Sequence, residues 1–300
     1  MCDGYEERRR GVSYGKVPGK MAVTTIRPMT VADLPRGLEL SRQAGWNQIE
    51  SDWRRFLDLE PAGCFVAELE GTPVGTTTTC IFGTVAWIAM VLVDVEARQQ
   101  GIGSALLRHA LEFLDGKGVR TVRLDATAAG QRVYKKLGFV PEYPLARHEG
   151  VASSARTRCD TVPVTEALIP ELVAFDHRMT GTPRAKLLTR LFQESPQAVR
   201  VLHKRNEIEG YITMREGANA VQIGPCVATP EVGAALLGDA LARCADRRVF
   251  VDIACDNVNA VRLVESAGLT IQRSFTRMRR GEPVSDNVNA LWAGSGPEKG

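Results

Sequence analysis

The chain repeats itself, and the repeat limits the possible folds more tightly than any single motif. Gly138 and Gly268 stand 130 residues apart (268 − 138). The same offset, without gaps, lays Leu106, Leu107, Ala110 and Leu111 over Leu236, Leu237, Ala240 and Leu241, with Leu114 over Cys244. In each copy these positions form the apolar stripe of a helix. Thr127, Gly130 and Tyr134 fall on Asn257, Ala260 and Val264, and Pro28 and Thr30 resemble Pro163 and Thr165 once a small insertion is allowed. One stripe matches by chance but the whole series does not, so the chain reads as two copies of one unit. Its 300 residues are about twice a typical domain, as two units require. The spacing predicts units over 21–150 and 151–292, a disordered polar extension over 1–20, and a flexible tail over 293–300.

Within the first unit, Trp87 to Val93 is β-branched and apolar, as a buried strand should be. Arg98-Gln99-Gln100-Gly101-Ile102-Gly103 follows, and then the helix carrying Leu106 to Leu114, which Gly116 can terminate. Two glycines at a helix start let the backbone approach a ligand and turn successive N–H groups toward it. Arg98 adds a full positive charge, so the segment suits a pyrophosphate. A dinucleotide fingerprint would need a third glycine where Leu106 stands, and a P-loop would need Gly-Lys-Ser/Thr. A glycine-rich helix start without a ligand is the competing reading of the hexamer alone.

Thirty residues on, Thr127 to Gly138 reads as a short helix stopped by a left-handed glycine, with Phe139 opening the next strand. Together the two segments resemble the GCN5-related N-acetyltransferase (GNAT) family. Its signature Gln/Arg-x-x-Gly-x-Gly/Ala is met by Arg98, Gly101 and Gly103. Its pattern Asn-x-x-Ala-x-x-x-Tyr-x-Lys-x-Gly-Phe is met at Tyr134, Lys136, Gly138 and Phe139, departing at Thr127 and Gly130. The resemblance implies an α+β (mixed α/β) fold of tandem GNAT-type domains, each a mostly antiparallel central sheet flanked by helices. It implies acetyl-CoA as co-substrate, held by Val91, Leu92, Val93, Arg98, Gln99, Gln100, Gly101, Ile102, Gly103, Ser104 and Thr127. It also implies that Tyr134 protonates the departing thiolate, where the alternative is an interfacial aromatic with a satisfied hydroxyl.

At the 130-residue offset Arg98, Gln100 and Gly101 become Ala228, Pro230 and Glu231, and Tyr134 becomes Val264. The second copy thus loses a cation, an amide donor and the proton donor, and gains a carboxylate where a phosphate would sit. It is read as a degenerate unit, and the resemblance to two-domain acetyltransferases implies that it completes the acceptor pocket. Trp46 and Asn47 lie where the family covers its acceptor, although packing for Trp46 and capping for Asn47 serve equally well. Arg184, with Asp176 and Arg178 nearby, and Asp252 are the second-half candidates for a charged acceptor, against a default of solvated surface charge. Trp87 to Val93 holds no glutamate to act as base, and the base is left unassigned.

Net charge is +3, with no basic block interleaved with aromatics beyond Arg8-Arg9-Arg10, so nucleic acid is not an expected partner. Seven scattered cysteines without Cys-x-x-Cys spacing suggest reduced thiols and no metal site. No apolar run reaches membrane-spanning length, and a cytoplasmic location is expected. The combined expectation is direct acetyl transfer to a small-molecule amine by a monomer or homodimer. The rival is a non-catalytic acyl-CoA-binding sensor or partner-docking module.

Overall fold

The computed structural model describes residues 24–152, 161–204 and 207–296. The extension expected over 1–20 and the last residues of the expected tail lie outside this range. The first half runs β1 (Thr24–Pro28), α1 (Leu34–Gln43), α2 (Glu50–Leu59), β2 (Cys64–Leu69), β3 (Thr72–Phe82), β4 (Val85–Val93), α3 (Ile102–Gly116), β5 (Thr121–Ala126), α4 (Ala128–Lys136) and β6 (Val140–Val151). The second half follows the same order: β7 (Val162–Pro163), α5 (Ile169–Thr180), α6 (Ala185–Glu194), β8 (Arg200–Lys204), β9 (Glu207–Arg215), β10 (Val221–Ala228), α7 (Pro230–Arg243), β11 (Arg248–Ala254), α8 (Val258–Ser266) and β12 (Thr270–Gly281). A last short strand, β13 (Leu291–Ala293), has no counterpart.

Past the central helices, α4 and β6 become α8 and β12 residue for residue at the offset of 130, while β5 and β11 start 127 apart (248 − 121). Upstream the offset is 135, because Pro28 corresponds to Pro163 (163 − 28) and Val93 at the end of β4 to Ala228 at the end of β10 (228 − 93). The second half has therefore lost five residues between its fourth strand and its central helix. Gly138 and Gly268 both sit in the left-handed region, with φ of 85° and 86°, where a side chain would be strained. Gly116 is the last residue of α3, and the left-handed turn after it is made by Gly118 (φ 74°).

The two sheets expected from sequence are joined into one of thirteen strands. Its order is β1-β2-β3-β4-β5-β12-β6-β11-β10-β9-β8-β7, with β13 added on β10. The closing strands are exchanged. β12 of the second half pairs antiparallel with β5 of the first, and β6 of the first half pairs antiparallel with β11 of the second. In the middle β6 and β12 pair with each other. The stripes of α3 and α7 pack on the sheet in two separate apolar cores, while Leu187 and Leu191 of α6 join the core beneath α1 and α2.

Ions tie the halves together as well. Asp52 on α2, fully buried, accepts from Arg55 (2.8 Å) and from Arg215 of β9 (2.7 Å), and Arg55 donates to Glu194 of α6 (3.0 Å). Removing one member leaves buried charge uncompensated. Asp52→Ala should therefore cost about 3–5 kcal/mol in urea unfolding, and a loss below about 1 kcal/mol would mean that solvent reaches the two arginines.

The tail expectation needs correction at 293–296. Trp292, Ala293 and Ser295 are buried, and the Gly294 N–H donates to the Asp252 carbonyl (2.7 Å). Sequence placed this segment beyond the last unit because nothing in the first half resembles it.

Candidate active site

The site begins where two parallel strands part. β4 pairs with β5 over Val85–Trp87 and Thr121–Arg123 only, and beyond Trp87 the strands splay, leaving main-chain groups on that edge of β4 without ladder partners. A bulge falls in the same stretch, where the register on β3 shifts between Thr76↔Leu92 and Thr78↔Ala89. Met90 has a φ of 49°, and Thr76 Oγ1 donates to its carbonyl (2.8 Å). Bulges of this kind re-aim a strand beside a site.

Past β4, Asp94 caps a short turn by accepting from the Glu96 N–H (2.9 Å). It also pairs with Arg36 (2.5 Å) and accepts from Gln43 (3.2 Å). These hydrogen bonds, with the Glu96 N–H first, hold its carboxyl below the usual range. Asp94 is thus a pin for the turn and is committed elsewhere as a base. Gln99 and Gly101 both adopt positive φ (64° and 81°), curling the chain so that Gly101 caps α3. The first N–H groups of α3 then have no acceptor within the helix. Arg98 is exposed, its Nε donates to the Val93 carbonyl (3.1 Å), and it makes no ion pair among the described residues.

These residues wall a cleft of about 430 Å3 that runs from Arg98, Gln99, Gly101, Gly103 and Ser104, past Val91, Val93 and Ile102, to Thr127 and Tyr134. Thr127 caps α4, its hydroxyl accepting from the Gly130 N–H (3.3 Å). Gly130 leaves room for the tyrosine, since a Cβ there would lie 2.8 Å from its ring. The half-buried Tyr134 packs edge-on to Phe139 (centroids 5.9 Å apart), and its hydroxyl has no hydrogen-bond partner among the described residues. Burial pushes its pKa up to about 12, which keeps the phenol protonated at neutral pH.

A second, smaller pocket of about 80 Å3 opens on the other side of Tyr134. Val91, Thr127 and Tyr134 border both spaces. Its remaining wall combines Trp46, Gln48 and Met90 with Asp125 of β5 and Arg147 of β6, and the exchanged strand β12 contributes Arg273 and Phe275. The second half thus supplies part of this wall.

Of the cofactor candidates, Leu92 has its side chain in the core beneath α1 and α2, and the exposed Gln100 does not line the cleft. Three of the four acceptor candidates lie elsewhere as well. Asn47 is buried as a clasp between halves, donating to the Ala220 carbonyl (3.0 Å) and accepting from the N–H groups of Asn219 (2.8 Å) and Ala220 (3.0 Å). Arg184 is engaged by Asp176 (2.6 Å) and Tyr211 (3.2 Å), and it borders a different cavity, of about 30 Å3. Asp252 lies behind the pocket wall and grips Arg147 through both oxygens (2.8 Å each). Asn47 and Asp252 were read as available because their partners are distant in the chain, and Arg184 because the nearby Asp176 was read as facing the same charged acceptor. Met90, Asp125, Arg147, Arg273 and Phe275 were missed as pocket residues. The alternation of Arg273, Phe275 and Arg277 on one strand face was the available signal.

The equivalent place in the second half is filled. β10 and β11 also pair in parallel only at the start, over Val221–Ile223 and Val249–Val251. There β13 takes the freed edge of β10. Asn257, the counterpart of Thr127, donates to the carbonyls of Asn289 (3.2 Å) and Leu291 (3.1 Å) and fastens the plug. Trp292 lies so close to α7 that a Cβ on Gly233 would come within 1.9 Å of its ring. The loop is shortened as well as altered: the five missing residues are the turn itself, and Ala228 is a buried strand residue directly before α7.

Residues 34–139 match the Acetyltransferase (GNAT) family, and residues 172–293 match the Acetyltransferase (GNAT) domain. Holothin acyltransferase of Pseudoalteromonas sp. is 28% identical over 182 residues, which cover 60% of this chain and 61% of that protein. A putative acetyltransferase from Pyrococcus horikoshii superposes with a TM-score of 0.80 at 25% identity, covering 98% of this chain and 100% of its own. A tandem GNAT protein from the clavulanic acid biosynthesis pathway superposes at 0.60 with 15% identity, over 88% of this chain and 100% of its own. Among the described residues no helix is long and apolar enough to cross a membrane, and no group of residues could hold a metal ion.

Proposed function

Because the chain belongs to the GNAT acetyltransferase family, we propose that it moves the acetyl group of acetyl-CoA directly onto the amine of a small molecule. The observation that carries this reading is the position of Tyr134, on the boundary between the long cleft and the smaller pocket. The cleft suits the coenzyme: free amides at the start of α3, a left-handed Gly101 and the unpaired Arg98 gather positive potential for a diphosphate, and the apolar floor leads inward to the splay.

When bound, acetyl-CoA supplies the thioester carbonyl that the amine attacks. The bulged edge of β4 near Leu92 offers main-chain N–H groups to the carbonyl oxygen as negative charge develops there. The nitrogen–carbon bond forms and the carbon–sulfur bond breaks. Tyr134 then gives its proton to the departing sulfur and regains one from the amine nitrogen by way of solvent. The second pocket, walled by both halves, holds the acceptor, and its small size favours a free molecule over a lysine on a protein.

Calorimetric titration with coenzyme A should saturate at one site per chain, and thiol release should follow when an amine panel is added to acetyl-CoA. No heat, or saturation at two sites, would remove the assignment. Binding without thiol release to any amine would make the chain an acyl-CoA-binding module.

A further inference from the structure

The smaller pocket has a charge that the protein leaves open. Two arginines line it. Arg147 is matched by Asp252 (2.8 Å on both oxygens); Arg277, further along β12, borders the neighbouring cavity and is matched by Asp125 (2.9 Å on both oxygens). The second pocket arginine, Arg273, is half-buried in the wall and makes no ion pair or hydrogen bond among the described residues. Burial, and then the neighbouring Arg147, lower its pKa, and the more distant carboxylate of Asp252 offsets this only in part. A half-buried guanidinium with no ion pair or hydrogen bond among the described residues is costly, and it contrasts with Arg147 beside it, which Asp252 holds through both oxygens.

A second observation comes from another residue of the same wall. Gln48 is only 6% exposed, lines the same pocket, and its Oε1 has no hydrogen-bond partner. A buried amide oxygen in this state lacks an N–H donor. Trp46 and Phe275 supply apolar surface to the same pocket.

We propose that the acceptor is an α-amino acid or a close amino-acid analogue, its carboxylate paired with Arg273 and its amine directed toward Gln48 and Tyr134. This rests on the acetyl-transfer reading above and names the substrate class of that site. One uncompensated guanidinium matches a monoanion and offers a planar fork to a carboxylate. A phosphate dianion would leave charge unmatched, and a cationic amine without an acid group would meet repulsion.

The test uses matched pairs of acceptors on the full chain: leucine with leucinamide, phenylalanine with phenylalaninamide, glutamine with 4-aminobutanamide. For the best pair, kcat/KM should favour the acid by about tenfold or more, the scale of one charge-assisted hydrogen bond. R273Q should bring that ratio near one, mainly by raising KM for the acid, and R273K should restore part of it. A merely structural arginine would instead lower both members of the pair together. Equal use of acid and amide by the unaltered chain, or loss of both in R273Q at equal ratio, overturns the proposal and leaves acetyl transfer standing. Coenzyme A binding with no turnover of any amine overturns both.

Discussion

Replacing Tyr134 by phenylalanine is expected to lower kcat by about 10²–10⁴-fold, the usual scale of a lost proton donor, while coenzyme A affinity stays nearly unchanged. The substitution is a clean probe because the edge-on contact with Phe139 belongs to the ring, and the hydroxyl takes part in no hydrogen bond among the described residues. A leaving thiol with a pKa of about 8.5 departs more readily with a donor beside it. Burial, which raises the phenol to about 12, keeps that donor charged with its proton. The sign is plain: as pH rises, the donor is lost only near about 12, so any fall in rate on the acid side belongs to protonation of the acceptor amine. Steady-state rates and calorimetry on the variant check both halves of the expectation. Turnover like that of the unaltered chain would remove Tyr134 from the reaction, and loss of coenzyme binding would make it a structural residue.

The second large effect is expected at the other end of the molecule. Trp292→Ala should destabilise the chain by about 3–5 kcal/mol, because it deletes a buried indole from a space that the surrounding backbone cannot collapse to fill. β10 on one side and α7 at Gly233 on the other hold that space open. Urea unfolding measures the loss. The coenzyme titration should still saturate at one, since emptying the gap does not return the five missing turn residues. A loss below about 1 kcal/mol would mean that the strand is an accessory, and saturation at two would mean that the tryptophan had been blocking a competent site.

Much of this architecture could be read from residue order, and the parts that could not share a physical cause. Gly138 and Gly268 announce themselves because only glycine tolerates the left-handed turn after a short helix. The stripes of α3 and α7 are legible because helical periodicity is local. The missing turn was misread: the stripes fix the frame only downstream, so a gapless comparison set Arg98 against Ala228, a residue of the preceding strand. The trade of β6 and β12 was hidden altogether, because pairing partners are chosen across a hundred residues and both strands look alike. Asp252 looked available for the same reason. Its partner, Arg147, becomes its neighbour only when the chain folds, as do Trp46 and Arg273 across the smaller pocket. Asp176 lies eight residues from Arg184, but their pairing with each other is not marked by local pattern.

The exchanged closing strands have one more consequence. In a symmetric pair built from a single gene, every residue that crosses over appears twice, and a change useful to one centre is imposed on the other. Here the two versions of the crossing strand are spelled separately, so Arg273 stands on β12 where β6 has Tyr143 (273 − 143 is again 130). Under the acetyl transfer proposed above, the molecule can therefore dedicate one lobe to chemistry and let the other specialise as its tailor, cutting the shape and charge of the substrate's berth without having to wear them itself.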